Sequence, residues 1–396
     1  MAMENDVTAP LREAFARRTG TSPDDWFCTF KARYGMREVF SGVREVLGAG
    51  NVVTTLFTGC TAVDSILSAG MAARYAQVAD ATLSIDDASL ELGDDDRAVL
   101  LQNSYGMIDA AVTARIAAKA HEAGAILVED SAHCLSRMAR GADGSPIADV
   151  SVHSFGIEKT FSDIYFGGAI WVSPDMANRD LHDAIVRNLA ACAELPARIG
   201  RACGSYRTHA RILAHLPGAL SRAAKAVLLG TGSYEPPVAD VERRGELPYP
   251  SYLPNGWMVE RILPRFATLD DDEAARRECV RRYVAELASC GGLRVPAAAL
   301  GCAADQPLLR FPIVLPDAEA GLGLAARLGA SGLYAVRWYH VPFFPGALDV
   351  TAYGLAPDDD RLATYHQRFS GVVGLPCDMG PERVGEVIDI VSATVS

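Results

Sequence analysis

DAAVTARIAAKAHEAGAILVEDSAH, residues 109–133, holds a helix, its stop, a strand and a polar strand end in one short stretch. Apolar residues recur at helical spacing from Ala110 onward, Asp109 stands where an N-cap belongs, and Gly124 follows the last turn. AILVED is then a continuous apolar run ending on two carboxylates, as expected of a strand buried on both faces. Working outward, NVVTT, RYAQVAD, AVLLQNS, DVSVHSF and GGAIWVS read as strands, while MREVFSGVREVLG and TAVDSILSAGMA read as helices. Strand and helix alternating between residues 35 and 172 predict an α/β fold, a mainly parallel sheet covered by helices. In such sheets ligands sit at the carboxyl ends of the strands. Asp130 and Ser154 fall at two of those ends, and Lys159 lies a few residues further on.

At 396 residues the chain is longer than one simple core supports, so a large and a smaller domain are expected. The division reads as an N-terminal arm over 1–30, a large domain over 31–256 and a small C-terminal α+β domain over 257–396. Pro264 should break the long helical pattern that opens the last of these. Residues 195–230 interrupt the order. They contain Arg198, Arg201, Arg207, Arg211, Arg222 and Lys225 and no carboxylate. Two readings stay open: helices covering the core or a dimer seam, and a basic amphipathic flap facing an anionic substrate, a lipid-linked one or a membrane surface.

The net charge of -12 argues against a nucleic-acid partner. Nine scattered cysteines without a CxxC pair fit reduced thiols, and no metal site is expected. The acidic start and the lack of any long apolar run predict a soluble, cytoplasmic protein.

Alone, Asp130 is as readily a turn cap as a functional group, and Lys159 as readily half of an ion pair. In combination, an aspartate at one strand end, a polar residue three later, Ser-x-x-x-x-Lys after the next strand and a Gly-Gly turn suit pyridoxal 5'-phosphate. That cofactor needs an amine, an anion for its ring nitrogen and donors for its phosphate. Glu129-Asp130-Ser131-Ala132-His133, Ser154-Phe155, Lys159 and Gly167-Gly168 resemble the DegT-type sugar aminotransferases, a family of fold-type I enzymes. LLQNSYGMIDA, LPNGWM (253–258) and VVGLPCDMGPERVGEVIDIV continue that resemblance from about residue 33 to the end, the basic segment excepted.

The resemblance implies a fold-type I transferase fold with active sites at a homodimer interface. It makes Lys159 the catalytic amine and cofactor anchor, Asp130 the partner of the ring nitrogen and His133 a ring contact. Ser154 becomes a phosphate donor, and Asn255 reaches the neighbouring subunit's cofactor. Where relatives have a Gly-Thr-Ala phosphate loop this chain has RYGMRE, so Gly35 and Met36 are expected as backbone donors, with Arg37 a further cation. TGCTA (58–62) looks more like that loop, but aligning it there deletes a strand and a helix. Phe57 is instead expected to cover the cofactor ring. Tyr165, Phe166 and Trp257 alter the rim.

The implied reaction moves an amino group from an amino-acid donor such as glutamate to a carbonyl acceptor, by resemblance a nucleotide-linked keto-sugar. Lys159 argues against the dehydratase relatives, which carry histidine there. A lyase or decarboxylase on the same fold, and a non-catalytic binding relative, stay open. His121 is expected on the surface and His153 on the sheet face opposite Ser154. Arg337 and His340 are placed either against a substrate anion or in ordinary ion pairs.

Overall fold

Continuous apolar strands with helices between them build a sheet covered on both sides, as the sequence predicts. The computed structural model describes residues 6–395. Its main sheet contains β1 (Trp26–Thr29), β2 (Asn51–Thr54), β3 (Ala72–Tyr75), β4 (Asp96–Gln102), β5 (Ile126–Asp130), β6 (Val150–Ser154) and β7 (Gly168–Val172), in the order β1-β7-β6-β5-β4-β2-β3. The pairs from β6 through β5, β4 and β2 to β3 are parallel, and only β7 runs against its neighbours.

The helices before and among these strands are α1 (Ala9–Thr19), α2 (Ala32–Leu47), α3 (Cys60–Ser68) and α4 (Ala110–Glu122), followed by α5 (Arg179–Ala190). Successive strand residues point to opposite faces. Val52, Leu100, Val128 and Val152 therefore pack under Val39, Phe40, Ile66 and Ile185 of α2, α3 and α5. Val53, Val99, Leu101 and Leu127 pack under Val112 and Ile116 of α4. This two-sided burial is why the strands read as apolar runs rather than alternations. Residues 1–30, expected as an arm, supply α1 and the edge strand β1; residues 1–5 of that stretch lie outside the described residues.

The basic segment forms α6 (Ala197–His215) and α7 (Gly218–Gly230). Ile199, Cys203 and Tyr206 of α6 pack on Phe30, Tyr34, Phe166 and Met258, so this helix does cover core. α7 buries no residue at all, and Leu220, Val227 and Leu229 stand exposed along it. Beyond it α8 (Gly256–Ile262) gives way, through a 3-10 turn at Leu263–Ala267 holding Pro264, to α9 (Leu269–Leu287). The short α10 (Ala297–Leu300) leads to β8 (Arg310–Val314), which pairs antiparallel with β9 (Val372–Pro376). α11 (Ala318–Ala330), α12 (Asp360–Phe369) and α13 (Pro381–Val395) complete this C-terminal unit. Its core, around Tyr283, Phe311, Val373 and Val387, also takes in Phe57 and Tyr105 from the main-sheet side.

Among the described residues no helix is long and apolar enough to cross a membrane, no group of side chains is arranged to hold a metal, and all nine cysteines are free thiols.

Candidate active site

β5 and β6 are neighbouring parallel strands, with Asp130 opposite Val152, so their carboxyl ends open on the same edge of the sheet. Asp130 ends the first and Ser154 the second. The Ser154 hydroxyl oxygen accepts the Gly156 N–H at 3.1 Å, which shapes the following turn and leaves the hydroxyl proton to donate elsewhere. Glu158 then takes a left-handed backbone (φ 59°), and Lys159 follows it. Asp130, His133, Ser154 and Lys159 line one cavity of about 220 Å³. From the C-terminal unit Trp338 and Tyr339 close it, and Gly167, whose φ of 122° requires glycine, brings backbone to its rim.

Burial sets the charges here. It lowers the Lys159 amine from its ordinary range to about 8, against the pull of Asp130 and Glu158 in the other direction. Among the described residues the amine has no ion-pair partner, and the Trp338 ring lies 5.8 Å from it. Burial also raises the Asp130 carboxyl, with Lys159 opposing, while the Ala132 N–H donates to the carboxylate at 3.1 Å. His133 is held neutral, its protonation suppressed first by burial and then by Lys159. Its Nδ1 accepts the Tyr105 N–H at 3.1 Å, so the ring proton belongs on Nε2, which faces the Tyr339 hydroxyl at 3.5 Å. Trp338 stacks on the same imidazole at 4.9 Å.

Two helix N-termini converge on the cavity: Ala32 and Arg33 of α2, and Gly59, Thr61 and Ala62 at the start of α3. Unpaired N–H groups and the helix dipole make such ends receptive to anions. The expected phosphate loop therefore needs correction. Gly35 and Met36 are the fourth and fifth residues of α2, because the helix begins at Ala32, and N–H groups so far in are taken by the helix's own ladder. Gly35 faces the sheet, where an added Cβ would sit 2.6 Å from Ile170. Met36 does line the cavity. TGCTA, set aside on the sequence, supplies the second of the two N-termini.

Phe57 also departs from expectation. It is fully buried behind Tyr339 (ring centroids 4.8 Å apart) and beside Phe369 (5.2 Å), where it packs in the C-terminal core. The wall expected of it is made by Gly59 with Phe344, whose carbonyl accepts the Cys60 N–H at 3.0 Å. Asn255 is outside its own chain's cavity: it caps α8 by accepting the Met258 N–H at 3.1 Å. His153 is buried beside Phe15 and Trp26, on the face opposite Ser154. His121 is half exposed and meets Asp149 at 2.8 Å. In RWYHVP the cavity takes Trp338 and Tyr339, while Arg337 donates to the Ser370 carbonyl at 2.8 Å, the structural alternative.

Two buried ion pairs at the cavity's edge have no signature in the sequence. Lys31 Nζ lies 2.5 Å from Glu235 Oε1, and Arg33 pairs with the fully buried Glu242. Both carboxylates come from the proline-rich segment after α7, whose Pro237 and Val238 form part of the cavity wall. Partners 204 and 209 residues apart leave no local pattern to read.

Residues 43–187, from α2 to α5, match the DegT/DnrJ/EryC1/StrS aminotransferase family model, and this span includes Asp130, His133, Ser154 and Lys159. That part of the chain, a little over a third of it, is similar to this family. No curated protein matches the sequence. Among solved structures, the chain is similar to the sugar aminotransferase CalS13 from Micromonospora echinospora, at 20% identity and TM-score 0.66 over 98% of this chain and 92% of that one. It is similar to the aminotransferase TlmJ from Streptoalloteichus hindustanus, at 21% identity and TM-score 0.64 over 98% and 91%. It also resembles NtdA from Bacillus subtilis, solved with bound cofactor PMP, at 15% identity and TM-score 0.65 over 99% and 78%. At these identities the likeness is one of fold, a fold-type I arrangement running the length of the chain.

Proposed function

We propose that the chain is a pyridoxal-phosphate-dependent aminotransferase that takes an amino group from an amino-acid donor, with glutamate the first candidate. Its acceptor is a carbonyl compound of the nucleotide-linked keto-sugar class. The observation that carries the reading is one cavity holding a desolvated lysine, a buried carboxylate from the neighbouring strand and two helix N-termini. These residues fit the cofactor. Lys159 offers an amine of depressed basicity, Asp130 a carboxylate able to hold a proton on a ring nitrogen, and Ser154 with the starts of α2 and α3 a set of donors for a phosphate. When bound, pyridoxal 5'-phosphate supplies an aldehyde that bonds amines and a ring that withdraws electrons from the adjoining carbon.

The protein's own part follows from the geometry. Lys159 anchors, and once free it carries a proton to and from the reacting carbon, a task suited to an amine whose basicity lies close to the working pH. His133, neutral and fixed by the Tyr105 N–H, presents Nε2–H as an orienting donor. Trp338 and Tyr339 exclude water from above. The protein works as a homodimer, a reading supported by the resemblance, by Asn255 standing outside its own cavity and by the uncovered apolar side of α7.

The test is reductive trapping. Incubation with pyridoxal phosphate, borohydride reduction and peptide mapping should find the adduct on Lys159 and none in K159A. Loaded protein given glutamate should then release 2-oxoglutarate and lose its yellow colour. An adduct elsewhere, or loss of carbon dioxide from the amino acid, rules the reading out.

A further inference from the structure

The residue before Lys159 is held in an unusual way. Glu158 is one of six non-glycine residues with positive φ among those described, a conformation unfavourable for an ordinary L-residue and adopted more easily by glycine or asparagine. A long carboxylate at such a position needs a reason. The Tyr334 hydroxyl donates to Glu158 Oε1 at 2.5 Å, and the Trp338 indole N–H donates to Oε2 at 2.8 Å. Both donors sit on the segment after α11, which is pinned to β9 by reciprocal main-chain hydrogen bonds between Val336 and Gly374 of 3.0 and 2.8 Å. Trp338 in turn packs on His133.

We infer that Glu158 is a positioning residue for Lys159: its carboxylate, gripped by Tyr334 and Trp338, fixes the left-handed turn that presents the lysine and keeps a negative charge beside the amine. The turn is thereby tied to the C-terminal unit, so the lysine and the aromatic wall above it hold one mutual geometry. What the lysine is positioned for rests on the function proposed above.

Charges from several elements act on the amine. Asp130 from β5 and Glu158 from its own turn favour the ammonium, Arg33 from α2 opposes it, and the Cys134 thiol contributes least. Lys31 is offset by Glu235, and His133 is neutral. Glu158 is thus one of two carboxylates that keep burial from lowering the amine further.

The experiment uses cofactor-free protein. Competitive acetylation with acetic anhydride across a pH series, read on the Lys159 peptide by mass spectrometry, gives the titration midpoint of the amine, expected near 8 in the unaltered chain. In E158Q the midpoint should fall by about one pH unit, the scale of one lost neighbouring charge. In Y334F, which keeps the charge and removes one donor from an exposed position, the midpoint should hold. Amide exchange in the turn should then rise about five-fold, the equivalent of one hydrogen bond. An unmoved midpoint in E158Q, or unchanged exchange in Y334F, overturns the inference. Should E158Q fail to fold, the Y334F exchange decides. If borohydride trapping fails while these results hold, the enzyme reading falls and the role of Glu158 stands.

Discussion

A lysine amine that titrates near 8 differs from an exposed one in what it does at neutral pH. At about pH 7.5 roughly a quarter of it is the free base, against roughly one part in a thousand at the ordinary value. That gain is set against stability. The unfolded lysine keeps its proton to about 10.5, whereas the folded one releases it near 8. Between those values the unfolded state binds the extra proton, so stability rises with pH. Below about 8 both states are protonated, and the full penalty of burying the ammonium stands. K159M removes it. Cofactor-free K159M should therefore resist urea better than the unaltered chain at neutral pH, by up to about 3 kcal/mol, with the advantage shrinking above pH 8 and absent near 10.5. Urea curves at both ends of that range check this, and equal curves at neutral pH mean the amine is not desolvated. Both Lys159 and Asp130 were legible in the sequence because strand ends in a parallel sheet form its functional edge. Gly35 departs from expectation because α2 starts a turn earlier than its apolar pattern shows, and Phe57, which precedes α3, because it packs on Tyr339 and Phe369 from far along the chain.

The start of α2 is the element on which that shift turned. Apolar periodicity becomes plain only at Met36, since Lys31, Arg33 and Arg37 break the pattern, yet the helix begins at Ala32. Its polar first turn is stabilised by contacts that no local pattern encodes: Glu235 and Glu242 neutralise Lys31 and Arg33, and the first residue of β7 lies directly beneath. β1 was hidden for a similar reason, being four residues that become a strand only by pairing with β7. The long strands and the capped helix α4 carry their own signals and were read correctly. Gly168 is where β7 meets α2. A Cβ there would stand 2.4 Å from the Ala32 Cα and 2.5 Å from its nitrogen, backbone atoms that can yield only if the helix end moves. G168A should cost about 2 kcal/mol in urea unfolding and weaken pyridoxal-phosphate binding, because Ala32 and Arg33 line the cavity. G35A meets side-chain atoms instead, Ile170 Cγ1 at 2.6 Å and Thr29 at 3.3 Å, and with no backbone to displace it should cost less, about 1 kcal/mol. A G168A protein that unfolds and binds as the unaltered chain does would show that α2 is not held from below.

Charge and apolar surface are unevenly distributed over the whole molecule. The chain totals -12 while residues 195–230 contribute six cations and no carboxylate, which leaves -18 on the remainder. On α7, Leu220 and Val227 stand two turns apart on one side, 59% and 64% exposed, with Ile212 of α6 exposed at 53%. An apolar helix side left uncovered in this way is unusual on a protein that stays alone. An anionic membrane and a second copy of this chain both match a basic, apolar hairpin. The second copy is favoured by its own acidic surface, which supplies the opposite charge, and by Asn255, a capping residue beside α6 that has no cavity of its own to serve. Light scattering should accordingly give twice 42.2 kDa. L220E/V227E should give the mass of one chain with unchanged circular dichroism, since neither residue is buried within the protomer, and should bind pyridoxal phosphate more weakly if Asn255 completes the neighbour's phosphate site. Vesicles rich in anionic lipid should leave the dimer in solution. A monomeric unaltered protein that floats with those vesicles would assign the hairpin to the membrane and confine each active site to a single chain.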